Sequence, residues 1–180
     1  EPSPRAVEPR CPHHGTCGGC EWQHLAYDAQ AALKRDVVAD AMTRVGKVHD
    51  ANAIVDACER AVETYEYRNR MEFAFAPSTS EGKGVDVGLR PRGSNASVVD
   101  VSAGCALQSD EANAALMAVR ETLRRLGGEV EAFDRTSGKG TLRSVTIRTA
   151  TASDGKRSVM VNLHTTAKDG ELTEGPVAEL

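Results

Sequence analysis

The sequence predicts an α+β domain. It would have an antiparallel sheet of about four to six strands, two helices packed on one sheet face, and a metal-cluster loop at the N-terminal edge. Three observations predict it. Two stretches, from about Tyr27 to Val45 and from about Asp110 to Leu126, carry apolar residues at helical spacing. Five shorter stretches alternate or cluster β-forming residues between turn signals. Three cysteines fall within Cys11-Pro-His-His-Gly-Thr-Cys17-Gly-Gly-Cys20, and a further one, Cys105, lies far downstream.

Residues 1–10 contain Pro2, Pro4 and Pro9 and read as an extended linker. The cysteine loop follows. In the first helix Ala29, Leu33, Val37, Val38, Ala41, Met42 and Val45 form one stripe, expected to be core, with Gly46 as the residue beyond its C-terminus. Arg68 to Ala76 alternates, with Met71, Phe73 and Phe75 on one face and Arg68, Arg70 and Glu72 on the other. Pro77 to Gly84 is polar and reads as a loop. Val85 to Arg90 alternates again, completing a hairpin with Val85, Val87 and Leu89 inward. A short strand is expected near Val98 to Val101. The second helix has Ser109 as N-cap, Asp110 and Glu111 in the first turn, and Ala112, Leu116, Val119, Leu123 and Leu126 as its buried stripe. Gly127-Gly128 ends it. Two strands, Leu142 to Ala150 and Arg157 to His164, are joined by a turn marked Asp154-Gly155. Residues 11–165 thus form the domain, and 166–180 a tail without a clear core.

The chain has 180 residues and a net charge of −4, so any polyanion would have to meet a local basic patch rather than a basic surface. With 4% aromatic residues, the core must be built mainly from Val, Leu, Ala and Met. No apolar run approaches the ~20 residues of a membrane span, and no signal peptide is visible. Without an initiator Met the chain is expected to be a fragment or a processed product. Five cysteines without a secretory signal favour a metal over disulfides.

Cys11, Cys17, Cys20 and Cys105 supply the four thiolates that an iron–sulfur cluster or a structural zinc needs. Gly18 and Gly19 let the backbone pass close to such a centre. For zinc, His13, His14 and His24 are further candidates. Cys58 reads as a packing residue or a free thiol. Arg68, Arg70, Arg90, Arg92, Arg143 and Arg148 are candidates for phosphate contacts, against the plainer reading of a solvated charged face. Strict alternation puts Arg68 and Arg70 on one face, and Arg143 and Arg148 on opposite faces. Tyr67 and Trp22 are aromatic surfaces on which a base can stack; for Trp22, shielding a metal centre is the preferred role.

Five pieces of the chain, in order, resemble the central domain of the RNA uridine-C5 methyltransferases that make 5-methyluridine in 23S ribosomal RNA. Cys11 to Leu25 resembles Cys-x5-Cys-Gly-Gly-Cys-x-x-Gln-His-Leu. Tyr27-Asp-Ala-Gln30 with Lys34 resembles the start of the next helix, and Tyr67-Arg68-Asn69-Arg70 a Tyr-Arg-Asn-Arg signature. Gly88-Leu89-Arg90 with Cys105-Ala-Leu, and Leu142-Arg143 with Ile147-Arg148, resemble later strands and the fourth cluster ligand. The resemblance implies a structural [4Fe–4S] cluster held by Cys11, Cys17, Cys20 and Cys105, and contact with ribosomal RNA. It implies a cytoplasmic, monomeric enzyme using S-adenosylmethionine. Family members carry a nucleophilic cysteine in a Ser-Cys-Asn-Pro-like context, a general-base Glu and a Gly-rich cofactor loop in a separate methyltransferase domain. None of these is in this sequence, so no catalytic residue is assigned and the chain alone is expected to be inactive. A stand-alone RNA-binding or zinc-stabilised interaction module is the alternative.

Overall fold

The computed structural model describes residues 3–78, 84–95, 97–101 and 104–166. The chain divides into two compact units, Glu1–His14 with Cys20–Thr64, and Gly15–Gly19 with Tyr65–Leu180.

The first unit holds helices α1 (Tyr27–Arg44) and α2 (Ala51–Ile54), which pack together. The Arg35 guanidinium fastens the segment around α2 by donating to the Val55 carbonyl (3.2 Å) and to Asn52 Oδ1 (2.8 Å). Residues before the cysteine loop are paired as well: Ala6 bridges Leu25, and the Val7 N–H donates to the His24 carbonyl at 2.9 Å. The extent of α1 matches the sequence expectation, but its buried face does not. Ala29, Ala31 and Ala39 are the buried residues, whereas Leu33, Val37 and Val38 are exposed and Val45 is 83% exposed. The apolar residues of α1 are spread around the helix, and the buried positions are alanines. Gly46 follows the C-cap Val45, as expected, but the left-handed conformation falls one residue later. Lys47 takes that conformation (φ 54°), while a Cβ on Gly46 would sit 2.8 Å from the Met42 carbonyl oxygen.

The second unit is a four-stranded antiparallel sheet in the order β2-β1-β3-β4, from β1 (Arg70–Pro77), β2 (Val85–Gly88), β3 (Leu142–Thr151) and β4 (Arg157–Thr165). Met71, Phe73 and Phe75 point to one face, where Val145 and Ile147 of β3 and Val85 and Val87 of β2 join them in the core. Helix α3 (Asp110–Leu126) covers that face with the expected stripe Ala112, Leu116, Val119, Leu123 and Leu126, all buried. Ser109 Oγ accepts from the Ala112 N–H at 3.3 Å, and Gly127 (φ 54°) stops the helix. The β3–β4 turn is as expected, with Gly155 at φ 81° and Asp154 accepting from the Lys156 N–H.

Three expectations are corrected. Within this unit one helix, not two, packs on the sheet face, because the Tyr27 helix belongs to the other unit. The strand expected at 98–101 is reduced to a bridge between Leu89 and Val99, after which Val101 turns into the core. The first strand starts at Arg70 rather than Arg68, because Arg68 pairs instead with the segment leading into α3 (N–H to the Leu107 carbonyl, 2.8 Å). Of the Pro77–Gly84 loop, residues 79–83 lie outside the described residues, as do residues 167–180 of the tail.

Leu123 is 1% exposed beneath the sheet. Leu123→Ala should therefore cost about 2–5 kcal/mol in urea unfolding, whereas Val45→Ala should shift stability by less than ~0.5 kcal/mol. Equal losses would contradict the assignment of the two helix faces.

Candidate nucleic-acid interface and cysteine sites

None of the five cysteines is in a disulfide. In the first unit Cys11 and Cys20 are both half-buried. The Cys11 N–H donates to Gln23 Oε1 (3.1 Å), and its carbonyl accepts from the His14 N–H (3.1 Å). The His14 ring stacks obliquely on exposed His24, centroids 5.4 Å apart. The Nε2 atoms of His13 and His14 are buried without a hydrogen-bond partner among the described residues. Cys58 Sγ makes only a long contact, 3.5 Å, to the Glu59 carbonyl.

In the second unit Cys17 and Cys105 are buried. The Gly19 N–H donates to Cys17 Sγ at 3.3 Å. The loop is drawn tight against Arg90, whose carbonyl accepts from the Gly18 N–H at 3.0 Å. A Cβ on Gly18 would lie 3.1 Å from that oxygen, and one on Gly19 would lie 3.4 Å from the Cys17 sulfur. Cys105 is held by Asn113 of α3, whose Oδ1 accepts from the Cys105 N–H (2.9 Å) and whose Nδ2 donates to its carbonyl (3.3 Å). Cysteines outside any disulfide, an amide aimed at sulfur and close-passing glycine backbone suit thiolate–metal ligation. Within neither unit, among the described residues, do three Cys, His, Asp or Glu side chains converge in metal-binding geometry.

The arginines are distributed differently from the alternation argument. Arg68 is half-buried with its guanidinium 3.5 Å from the Met71 sulfur, so it does not share a face with Arg70. Arg70 is exposed and directly opposite Arg148 of β3. Both lie on the sheet face turned away from α3, with Glu72 (3.8 Å from Arg70) the nearby carboxylate. Farther along this face Glu72 accepts from Ser144 Oγ (3.1 Å), and Thr146 Oγ1 lies 3.0 Å from His164 Nε2. Tyr67 is exposed.

That face opens into a cleft of about 1350 Å3 lined by Glu72, Arg90, Phe133, Arg135, Arg143 and His164, among others. The segment around Phe133 borders it because Ala132 bridges Leu142 and the Phe133 N–H donates to the Leu142 carbonyl. The register of β3 on β4 shifts between Leu142 and Ser144. This irregularity breaks the strict alternation, so Arg143 lines the same cleft as Ser144. Its guanidinium lies 4.8 Å from the Phe133 ring centroid. Arg90 donates to the Asn95 (2.7 Å) and Ser97 (3.2 Å) carbonyls. Asp134 is committed to its own turn: hydrogen bonds from the Thr136 N–H and the Ser137 hydroxyl hold its carboxyl below the usual carboxylate range. Phe133, Arg135, His164 and Asn113 were not found by motif reasoning. Only Asn113, one turn into a helix that follows a candidate ligand, offered a signal.

Like charges directly opposite each other on a sheet are destabilising. Arg148→Glu should raise the melting temperature, by an amount equivalent to ~0.2–1 kcal/mol, because it converts the Arg70–Arg148 clash into a pair. A lowered melting temperature would contradict this geometry.

No family model matches the chain. It is 35% identical over 141 residues to a protein of Nitratidesulfovibrio vulgaris named as an uncharacterized RNA methyltransferase, covering 78% of this chain and 28% of that protein. A Listeria monocytogenes protein of the same description is 32% identical over 174 residues, 97% of this chain and 36% of the relative. A third, from Caldanaerobacter subterraneus, is 31% identical over 168 residues, 93% and 35% respectively. Over most of its length, then, the chain is related to a segment of bacterial proteins named RNA methyltransferases, and it spans little more than a third of their length at most.

Proposed function

We propose that this chain is the RNA-contacting, cluster-bearing part of an S-adenosylmethionine-dependent RNA (uracil-5-)-methyltransferase acting on 23S ribosomal RNA. The observation that carries the reading is the similarity to RNA methyltransferases across 97% of the chain in the longest alignment described above. The ordered motifs from Cys11 to Arg148 make the uridine-C5 branch the best match among such enzymes. In this reading the division of labour is simple. The exposed face bearing Arg70 and Arg148 binds RNA phosphate, which offsets the repulsion between the two guanidinium groups. Arg90 and Arg143 extend that contact, and exposed Tyr67 offers a ring to a base. Arg68 acts by holding the entry to β1 in place. The methyl transfer itself belongs to the rest of the protein.

Cys11, Cys17, Cys20 and Cys105 would hold the [4Fe–4S] cluster as thiolates, with the Gly19 N–H stabilising the Cys17 sulfur and Asn113 fixing the backbone of Cys105. When bound, the cluster supplies iron–thiolate bonds that constrain the chain, and the methyl transfer needs no electron from it. One observation favours a second reading, zinc: the unpartnered Nε2 atoms of His13 and His14 sit close in sequence to Cys11.

Deleting the gene should remove one 5-methyluridine from 23S ribosomal RNA, read by nucleoside-resolved mass spectrometry. An unchanged modification map would overturn the enzymatic reading. Protein purified without oxygen should contain about four iron and four acid-labile sulfide per chain and absorb broadly near ~400 nm, and Cys17→Ser should lose both. Stoichiometric zinc without sulfide would replace the cluster with the second reading.

A further inference from the structure

The cleft beside the open sheet face combines features that neither packing nor stability explains. Arg135 and Arg143 make no hydrogen bond or ion pair among the described residues, although both line it. Arg143 is exposed, and its guanidinium carbon lies 4.8 Å from the centroid of half-buried Phe133. A planar cation held over an aromatic ring and open to solvent offers a surface to a nucleobase. At the cleft wall His164 Nε2 lies 3.0 Å from Thr146 Oγ1 and Ser144 Oγ donates to Glu72, so both side chains are held in place. Three arginines face two carboxylates here; Asp134 is tied into its own turn and Glu72 is engaged by Ser144. The volume of about 1350 Å3 exceeds the ~300–1,000 Å3 of small-molecule sites and suits a stretch of polymer.

We infer that this cleft seats a single-stranded RNA segment, with one base stacked on the Arg143–Phe133 pair and Arg135 on an adjacent phosphate. The inference rests on the reading of the protein as acting on RNA, and names where an unpaired stretch of that RNA lies. Double-stranded RNA does not meet the stacking requirement, because its bases are already stacked on one another. The site would select for an unpaired base and only weakly for its identity, since every base has a π-face.

The test uses the full-length protein and a fluorescein-labelled oligouridylate, titrated by anisotropy at several salt concentrations. Arg135→Ala/Arg143→Ala should weaken binding at least tenfold and reduce the salt slope by about 0.7, the value for the single phosphate contact of Arg135 on a single strand. Arg143→Lys keeps the charge and loses the plane. It should leave the slope unchanged and weaken binding about fivefold, and Phe133→Leu should do the same. An abasic oligonucleotide should bind the parent protein as weakly as the intact one binds Arg143→Lys. If the parent binds oligouridylate and all cleft variants overlay it, the cleft assignment fails while the RNA-enzyme reading stands. If Arg143→Lys and Phe133→Leu match the parent while the double alanine variant is weak, the stacking assignment fails. If the parent binds no RNA, both readings fall together.

Discussion

One face of the four-stranded sheet is buried under α3 and the other is not, and the character of the second unit follows from that asymmetry. The alternation of β1 places Met71, Phe73 and Phe75 on the buried face, while Arg70 and Glu72 are left outside. A shift of register by one residue would exchange the two sets. The same hydrophobic constraint that assembles the core therefore fixes which polar groups are displayed together. It sets Arg70 opposite Arg148 on the exposed face. It also leaves Ser144, Thr146 and His164 along the floor that leads to the cleft.

The cysteine segments obey a different constraint, one of backbone rather than of packing. Gly18 and Gly19 pass close to their neighbours, where a Cβ would lie 3.1 Å from the Arg90 carbonyl oxygen and 3.4 Å from the Cys17 sulfur respectively. Cys105 is positioned by an amide side chain on α3, so the start of that helix has two tasks. Ser109 caps it, and Asn113, one turn later, clamps the cysteine before it. Substitutions at Asn113 would be felt at Cys105 without touching its sulfur.

Much of the second unit was legible in the sequence. Helix α3 announced itself through Ser109, a single clean apolar stripe and Gly127, and its limits agree residue for residue. The hairpin strands and the Asp154-Gly155 turn were equally plain. Helix α1 was legible in extent but not in orientation, because its valines and leucine lie on several sides and its true packing face is made of alanines. The arginine map was only partly legible. Alternation assumes an unbroken strand, and β1 begins after Arg68 while the pairing of β3 slips beside Arg143. The contact of Arg143 with Phe133 joins segments brought together by a bridge between Ala132 and Leu142, which no local pattern encodes.

In the proposed function the open sheet face is the surface that meets RNA. Hydroxyl-radical footprinting of the full-length protein, read by mass spectrometry with and without single-stranded RNA, tests this most directly. Protection is expected at Phe133, Arg143 and His164 and along Arg70 to Glu72, with the buried residues of α3 unchanged. Protection confined to other surfaces, with these residues as reactive as in the free protein, would contradict it.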